Sequence, residues 1–172
     1  MVTIIVLMTD DTTANLAMNS FHRYLLGLIA GMCLLFASCS EGVVYSRFYT
    51  MESEKWAIDS VAQFDFYIDD AAAAYQMLIY VRHTERYPYQ NMWLFVGDSV
   101  PTDTIEFYLA DDRGRWLGDR HHGMLEMPVL FEENYHFPDT GTYHLTIQQG
   151  MRDSVLQGVA DVGLEIIRHG KE

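Results

Sequence analysis

The sequence predicts an all-β domain, an antiparallel β-sandwich of about seven to nine strands, immunoglobulin-like or jelly-roll-like, preceded by a lipoprotein signal peptide. Three observations predict it. From Val61 onward, apolar and polar residues alternate along several short runs. Turn residues separate those runs at Gly97-Asp98, Asp111 to Gly114, Gly118-Asp119 and Pro138 to Gly141. An uncharged apolar run, Leu25 to Ala37, ends two residues before a cysteine.

Composition narrows the function classes. The chain has 172 residues, with 11 Lys plus Arg against 24 Asp plus Glu, a formal net charge of −13. That length suits one domain with a tail. The acidity argues against nucleic-acid binding, which needs a basic stripe, and against a polybasic hold on anionic lipid. Hydrophobic residues make up 49% of the chain, too many for a disordered one. Cys33 and Cys39 are the only cysteines, so a disulfide-framed scaffold is excluded.

The N-terminal region reads as an address. LLGLIAGMCLLFA is shorter than the roughly 20 apolar residues of a spanning helix but suits the apolar region of a signal peptide. His22 and Arg23 form a modest basic flank, and Ala37, Ser38 and Cys39 follow. The string LFASC resembles a bacterial lipobox, where cleavage precedes a cysteine that carries diacylglycerol; Phe36 stands where Leu is commoner. The competing reading is a buried apolar helix or an uncleaved anchor. The preceding segment carries Asp10 and Asp11, unlike a basic flank, whereas MNSFHRYLL from Met18 starts conventionally. The expected organisation is an extension at 1–17 from a misassigned start and a signal peptide at 18–38. The lipidated Cys39, a tether and a first edge strand follow through 55, then the sandwich at 56–172. With Cys33 removed and Cys39 acylated, the domain keeps no free thiol.

The strands follow in order. A first edge strand is expected around Val43 to Tyr49. QFDFYI sets Phe64, Phe66 and Ile68 on one face, and YQMLIYVR sets Tyr75, Met77, Ile79 and Val81 together. TIEFYLA sets Ile105, Phe107 and Leu109 together, TYHLTIQ sets Tyr143, Leu145 and Ile147, and VGLEII sets Val162, Leu164 and Ile166. This period of two marks half-buried antiparallel strands. NMWLFV and MPVLFE are shorter apolar runs read as strands. DDAAAAYQM is read as a loop, with a helix capped by Asp69 or Asp70 as the alternative. Met151, Val155 and Val159 recur every four residues, so a short helix is expected in QGMRDSVLQG. Asp139 to Tyr143 has the D-x-G-x-Y layout of a tyrosine corner, without the usual following Cys.

The motifs of common chemistries do not assemble. None of the histidines after Cys39 has H-x-x-x-H spacing, and no G-x-S-x-G elbow or glycine-rich phosphate loop occurs. Asp69-Asp70, Asp111-Asp112 and Glu132-Glu133 are adjacent pairs, which read as turn solvation rather than carboxylates facing each other across a cleft. Asp111, Asp112 and Asp119 around Gly114 offer oxygen ligands for Ca²⁺ but lack EF-hand spacing, so no metal, cofactor or catalytic residue is expected. The tryptophans are the remaining suspects. Trp93 reads as core, while Trp116 and Trp56 are the candidate interaction residues, Trp56 also fitting a cap on the sandwich.

The order of motifs adds a resemblance. YVRHTERYPYQNMWLFV, then DTIEFYLADDRGRWLGD, then FPDTGTYHLTIQQGMRDSVLQGVADVGLEI, behind a lipobox at Cys39, resembles the GldH family of gliding-motility lipoproteins of Bacteroidota. The resemblance implies an outer-membrane lipoprotein, acylated at Cys39, with no enzyme activity. It implies protein partners in the gliding machinery and the coupled type IX secretion system. Ser40 suits outer-membrane sorting, and a single Glu41 rather than an acidic run suits a periplasmic orientation. The alternative is a carbohydrate-binding envelope sandwich that uses Trp116 or Trp56 as its platform.

Overall fold

A computed structural model describes residues 42–98 and 101–169; the expected signal peptide and Cys39 lie outside them. The elements are β1 (Val43–Thr50), a 3₁₀ turn (Glu52–Glu54), β2 (Lys55–Ala57), β3 (Ala62–Ile68), β4 (Tyr75–His83), β5 (Asn91–Gly97) and β6 (Pro101–Tyr108). After these come β7 (Asp119–His121), β8 (Met124–Tyr135), β9 (Gly141–Gln149), β10 (Val155–Gln157) and β11 (Val159–Arg168). All strand pairs are antiparallel.

One sheet has the order β1-β11-β4-β8-β7, another has β3-β9-β5-β6, and β10 pairs β2 beside them. The three-residue strands β2, β7 and β10 are the surplus over the expected number. The eight long strands pair first with last and inward: β1 with β11, β3 with β9, β4 with β8, β5 with β6. That nested pairing is one long antiparallel ribbon wrapped into two sheets, the jelly-roll member of the two architectures expected.

The core lies between the sheets because each strand's parity sends one face inward. β3 alternates buried and exposed without a break, as does β4 between buried and half-buried residues. Phe64, Ile68, Ile79, Met92, Leu94, Ile147, Leu164 and Ile166 are among the largest fully buried side chains. Burying each such side chain contributes roughly 1.5–3 kcal/mol. At the end where β1 begins, Phe137 packs against Tyr75, Tyr135 and Tyr143 with ring centroids 4.6–5.3 Å apart. The tyrosine corner forms there: the Tyr143 hydroxyl donates to the Asp139 carbonyl at 2.7 Å and accepts from the Asp139 N–H at 3.2 Å. It occurs in a jelly roll because it needs only a local turn entering a strand.

Two expectations are corrected. The four-residue spacing of Met151, Val155 and Val159 does not make a helix. Residues 150–154 form a turn and Val155–Gln157 is β10, its Leu156 facing Trp56. Trp93 is not core: Met92, Leu94 and Val96 take the inward positions of β5 and leave Trp93 37% exposed.

Candidate functional site

The sequence-predicted residues fall in three different settings. Trp56 is fully buried, and its indole N–H donates to the Ser60 carbonyl at 2.8 Å. It is a core anchor whose ring offers nothing to a partner. Trp116 is half-buried, joined to Ala110 by a β-bridge, and stands edge-on to His83 at 4.8 Å. Cys39 lies outside the described residues.

The turn before Trp116 is held by Asp111. Its carboxylate accepts the N–H groups of Arg113 and Arg115, both at 2.9 Å, and the Arg115 guanidinium at 2.7 Å. These backbone and guanidinium donors hold its carboxyl below the ordinary Asp range. The loop therefore spends Asp111 on its own backbone. Among the described residues, no group of three or more His, Cys, Asp and Glu is placed to hold a metal ion.

Beneath Trp116, His83 is fully buried; its Nδ1 lies 3.1 Å from the Thr84 carbonyl. A carbonyl only accepts, so Nδ1 carries the proton. Nε2 is buried with no hydrogen-bond partner among the described residues. Burial holds the ring below its ordinary value of 6.5. The unfolded chain then binds this proton first as pH falls. The contribution of His83 is level above about pH 6.5 and is lost as pH drops toward its folded value. In urea titrations from pH 7.5 to 5, His83→Phe should show a shallower decline than the parent; equal slopes would refute this origin.

Four exposed aromatic residues, Tyr67, Trp93, Phe95 and Tyr108, lie on strands of the smaller sheet. Parity sends Asn91, Trp93 and Phe95 outward on β5, opposite Tyr108, Glu106 and Thr104 of β6. Trp93 and Phe95 are each 37% exposed and Tyr108 59%. β9 ends at Gln149 beside them, and Gly150 donates its N–H to the Trp93 carbonyl at 2.7 Å. A Cβ on Gly150 would lie 3.2 Å from Trp93 Cβ and 3.3 Å from the Phe95 ring, so the bare glycine keeps both flanks open. Buried Gln149 fixes the turn: its amide donates to the Asp153 carbonyl at 2.9 Å and its oxygen accepts the Met151 N–H at 2.8 Å. The result is a groove of about 390 Å³ lined by Tyr89, Asn91, Trp93, Gly150, Met151 and Arg152. Sequence reading missed Trp93 because NMWLFV looks uniformly apolar. The signal was the parity of Met92, Leu94 and Val96.

The larger sheet has a different outer face. Phe48, Gly163, Tyr80 and Pro128 stand in one cross-strand row, with Leu78 and Leu130 in register beside it. Gly163 lets the Phe48 ring lie against the sheet, since a Cβ there would be 2.6 Å from it. Arg82 caps that ring at 3.7 Å and pairs with Glu126 at 2.5 Å, while the Tyr80 hydroxyl donates to Glu165 at 3.1 Å. Leu130 is 51% exposed. The face has an apolar centre and a charged rim, the anatomy of a protein contact.

Comparison with known proteins places these surfaces in a family. The family described as GldH lipoprotein matches residues 43–166. The "Gliding motility lipoprotein GldH homolog" of Christiangramia forsetii is 31% identical over 145 residues, 77% of this chain and 88% of that protein. The "Gliding motility lipoprotein GldH" of Flavobacterium johnsoniae is 28% identical over 152 residues, 81% of this chain and 94% of that protein. Among solved structures, the infectious bursal disease virus VP2 subviral particle covers 74% of this chain and 34% of that chain. At 15% identity and a TM-score of 0.31, it has no bearing on the site. The match runs from Val43, the first residue of β1, to Ile166, near the end of β11, and the chain belongs to the GldH lipoprotein family.

Proposed function

We propose that this chain is an accessory lipoprotein of the gliding machinery and its coupled type IX secretion system. In this reading it is anchored in the outer membrane through acylated Cys39, faces the periplasm, and works by holding a protein partner rather than by catalysis. The observation that carries it is the family match over residues 43–166 behind a lipobox cysteine. Cys39 stands three residues before Gly42, whose carbonyl accepts the Arg168 N–H at 2.7 Å. Three extended residues reach only about 10 Å, so the lipid would keep the domain against the bilayer. Each buried acyl methylene contributes about 0.8 kcal/mol, and two chains anchor stably. The face around Leu78, Tyr80 and Leu130 supplies the apolar centre for the partner, and Arg82, Glu126 and Glu165 its rim.

Two substitutions separate anchor from contact. Cys39→Ser should move the protein from the membrane to the soluble fraction. Leu130→Glu should leave it membrane-bound and folded but lose crosslinks to motility or secretion components in intact cells. Wild-type protein that crosslinks to none of them, in a host whose motility and secretion survive the gene's deletion, would sink the reading.

A further inference from the structure

The groove beside Trp93 is built differently from the Leu130 face. It is a concave pocket lined by Trp93 and Tyr89 together with polar side chains, and hydrogen bonds hold its walls. The Tyr89 hydroxyl donates to Asp153 at 2.9 Å. The Asn91 amide donates to Glu106 at 2.6 Å. The backbone N–H of Trp93 donates to Met151 Sδ at 3.4 Å, and buried Gln149 clamps the turn beneath. Side chains held before a ligand arrives lose little entropy when it binds. Arg152 stands exposed at the mouth and, among the described residues, has no carboxylate partner, unlike Arg82, Arg86, Arg115, Arg120 and Arg168.

We propose that the groove between Trp93 and the Gly150–Arg152 turn binds a neutral saccharide. The rings of Trp93 and Tyr89 stack on a sugar face, and Asn91 and Arg152 bond its hydroxyls. The chemistry of the lining selects this ligand. A pyranose ring has an apolar C–H face and a hydroxylated edge; an exposed indole suits the first, and an amide and a guanidinium suit the second. The volume of about 390 Å³ falls within the range of small-ligand clefts. The net charge of −13 sets a field that disfavours a polyanionic glycan, and so narrows the class to neutral ones. The site lies on the sheet opposite the proposed protein contact, so the two readings stand or fall separately.

Trp93 is also the reporter. Trp56 is fully buried, so collisional quenching of tryptophan fluorescence reads Trp93 together with half-buried Trp116, whose share the Trp93→Phe protein gives directly. Full-length protein in a non-glycosidic detergent is titrated with neutral gluco-, manno-, xylo- and galacto-oligosaccharides, with an oligogalacturonate as the anionic control. At least one neutral oligosaccharide should protect the fluorescence from acrylamide and bind at least tenfold more tightly than the control. Binding to Trp93→Ala and Gly150→Val, followed calorimetrically, should weaken at least tenfold, with Trp93→Phe in between. All three should melt cooperatively, and a variant that does not fold is replaced by Arg152→Ala, which should weaken binding severalfold. No protection by any neutral probe at about 10 mM, where even millimolar affinity would show, overturns the proposal. So does wild-type affinity in folded Trp93→Ala. So does loss of a protein crosslink in Trp93→Ala when no saccharide binds, since the groove would then be a protein contact.

Discussion

Trp56→Ala should remove about 3–5 kcal/mol of stability, the cost of emptying a large buried aromatic site. Three facts set that size. The ring is fully buried, its partner across the β2–β10 pair is the equally buried Leu156, and its N–H is the donor to the Ser60 carbonyl. Truncation leaves a cavity and also strands that carbonyl. A domain of this size has roughly 5–15 kcal/mol in total, so the melting temperature should fall by on the order of 10–25 °C. Trp56→Phe should lose less, since it keeps most of the apolar contact. Thermal and urea denaturation of the purified variants measure both. A Trp56→Ala protein as stable as the parent would mean that the indole is not the anchor of the β2–β10 corner.

Gly158→Ala should cost about 2–5 kcal/mol, from a left-handed backbone penalty plus overpacking. Gly158 has φ +80, and a Cβ there would run into the backbone of Arg86 and Tyr87. That stretch is tied to Gly158, whose carbonyl accepts the Thr84 N–H at 2.8 Å and whose N–H donates to Glu54 at 2.8 Å. Displacing it disturbs buried Tyr87 and His83 together. Gly114 is the matched control: its φ is +75, but nothing lies within 4 Å of its Cβ position. Gly114→Ala should therefore cost only about 1–2 kcal/mol, the backbone part alone. If the two variants lose the same stability, the close approach at Gly158 carries no energy.

The parts of this protein that could be read from sequence are those fixed locally. Side-chain parity in a strand is a property of the backbone, so Phe64, Phe66 and Ile68 could be assigned inward before any partner was known. Asp139 and Tyr143 are four residues apart, and their hydrogen bond needs only the turn between them. The four-residue spacing that misled the reading of residues 151–159 is equally local. Its true state depends on Gly150 and Gly158 and on a distant partner, β2. A three-residue strand has too few positions to show a period.

The sequence by itself determined the class: an acidic all-β sandwich, with its inward faces set by a period of two. The tertiary structure alone decided which aromatic residues meet the outside. Trp56 lies in the charged stretch ESEKWAID and Trp93 in the apolar run NMWLFV, yet the first is sealed under the β2–β10 pair and the second stands open beside Gly150. The reason is physical. Parity assigns a side chain to a face, but whether that face is covered depends on pairings between residues about a hundred positions apart, such as Trp56 with Leu156.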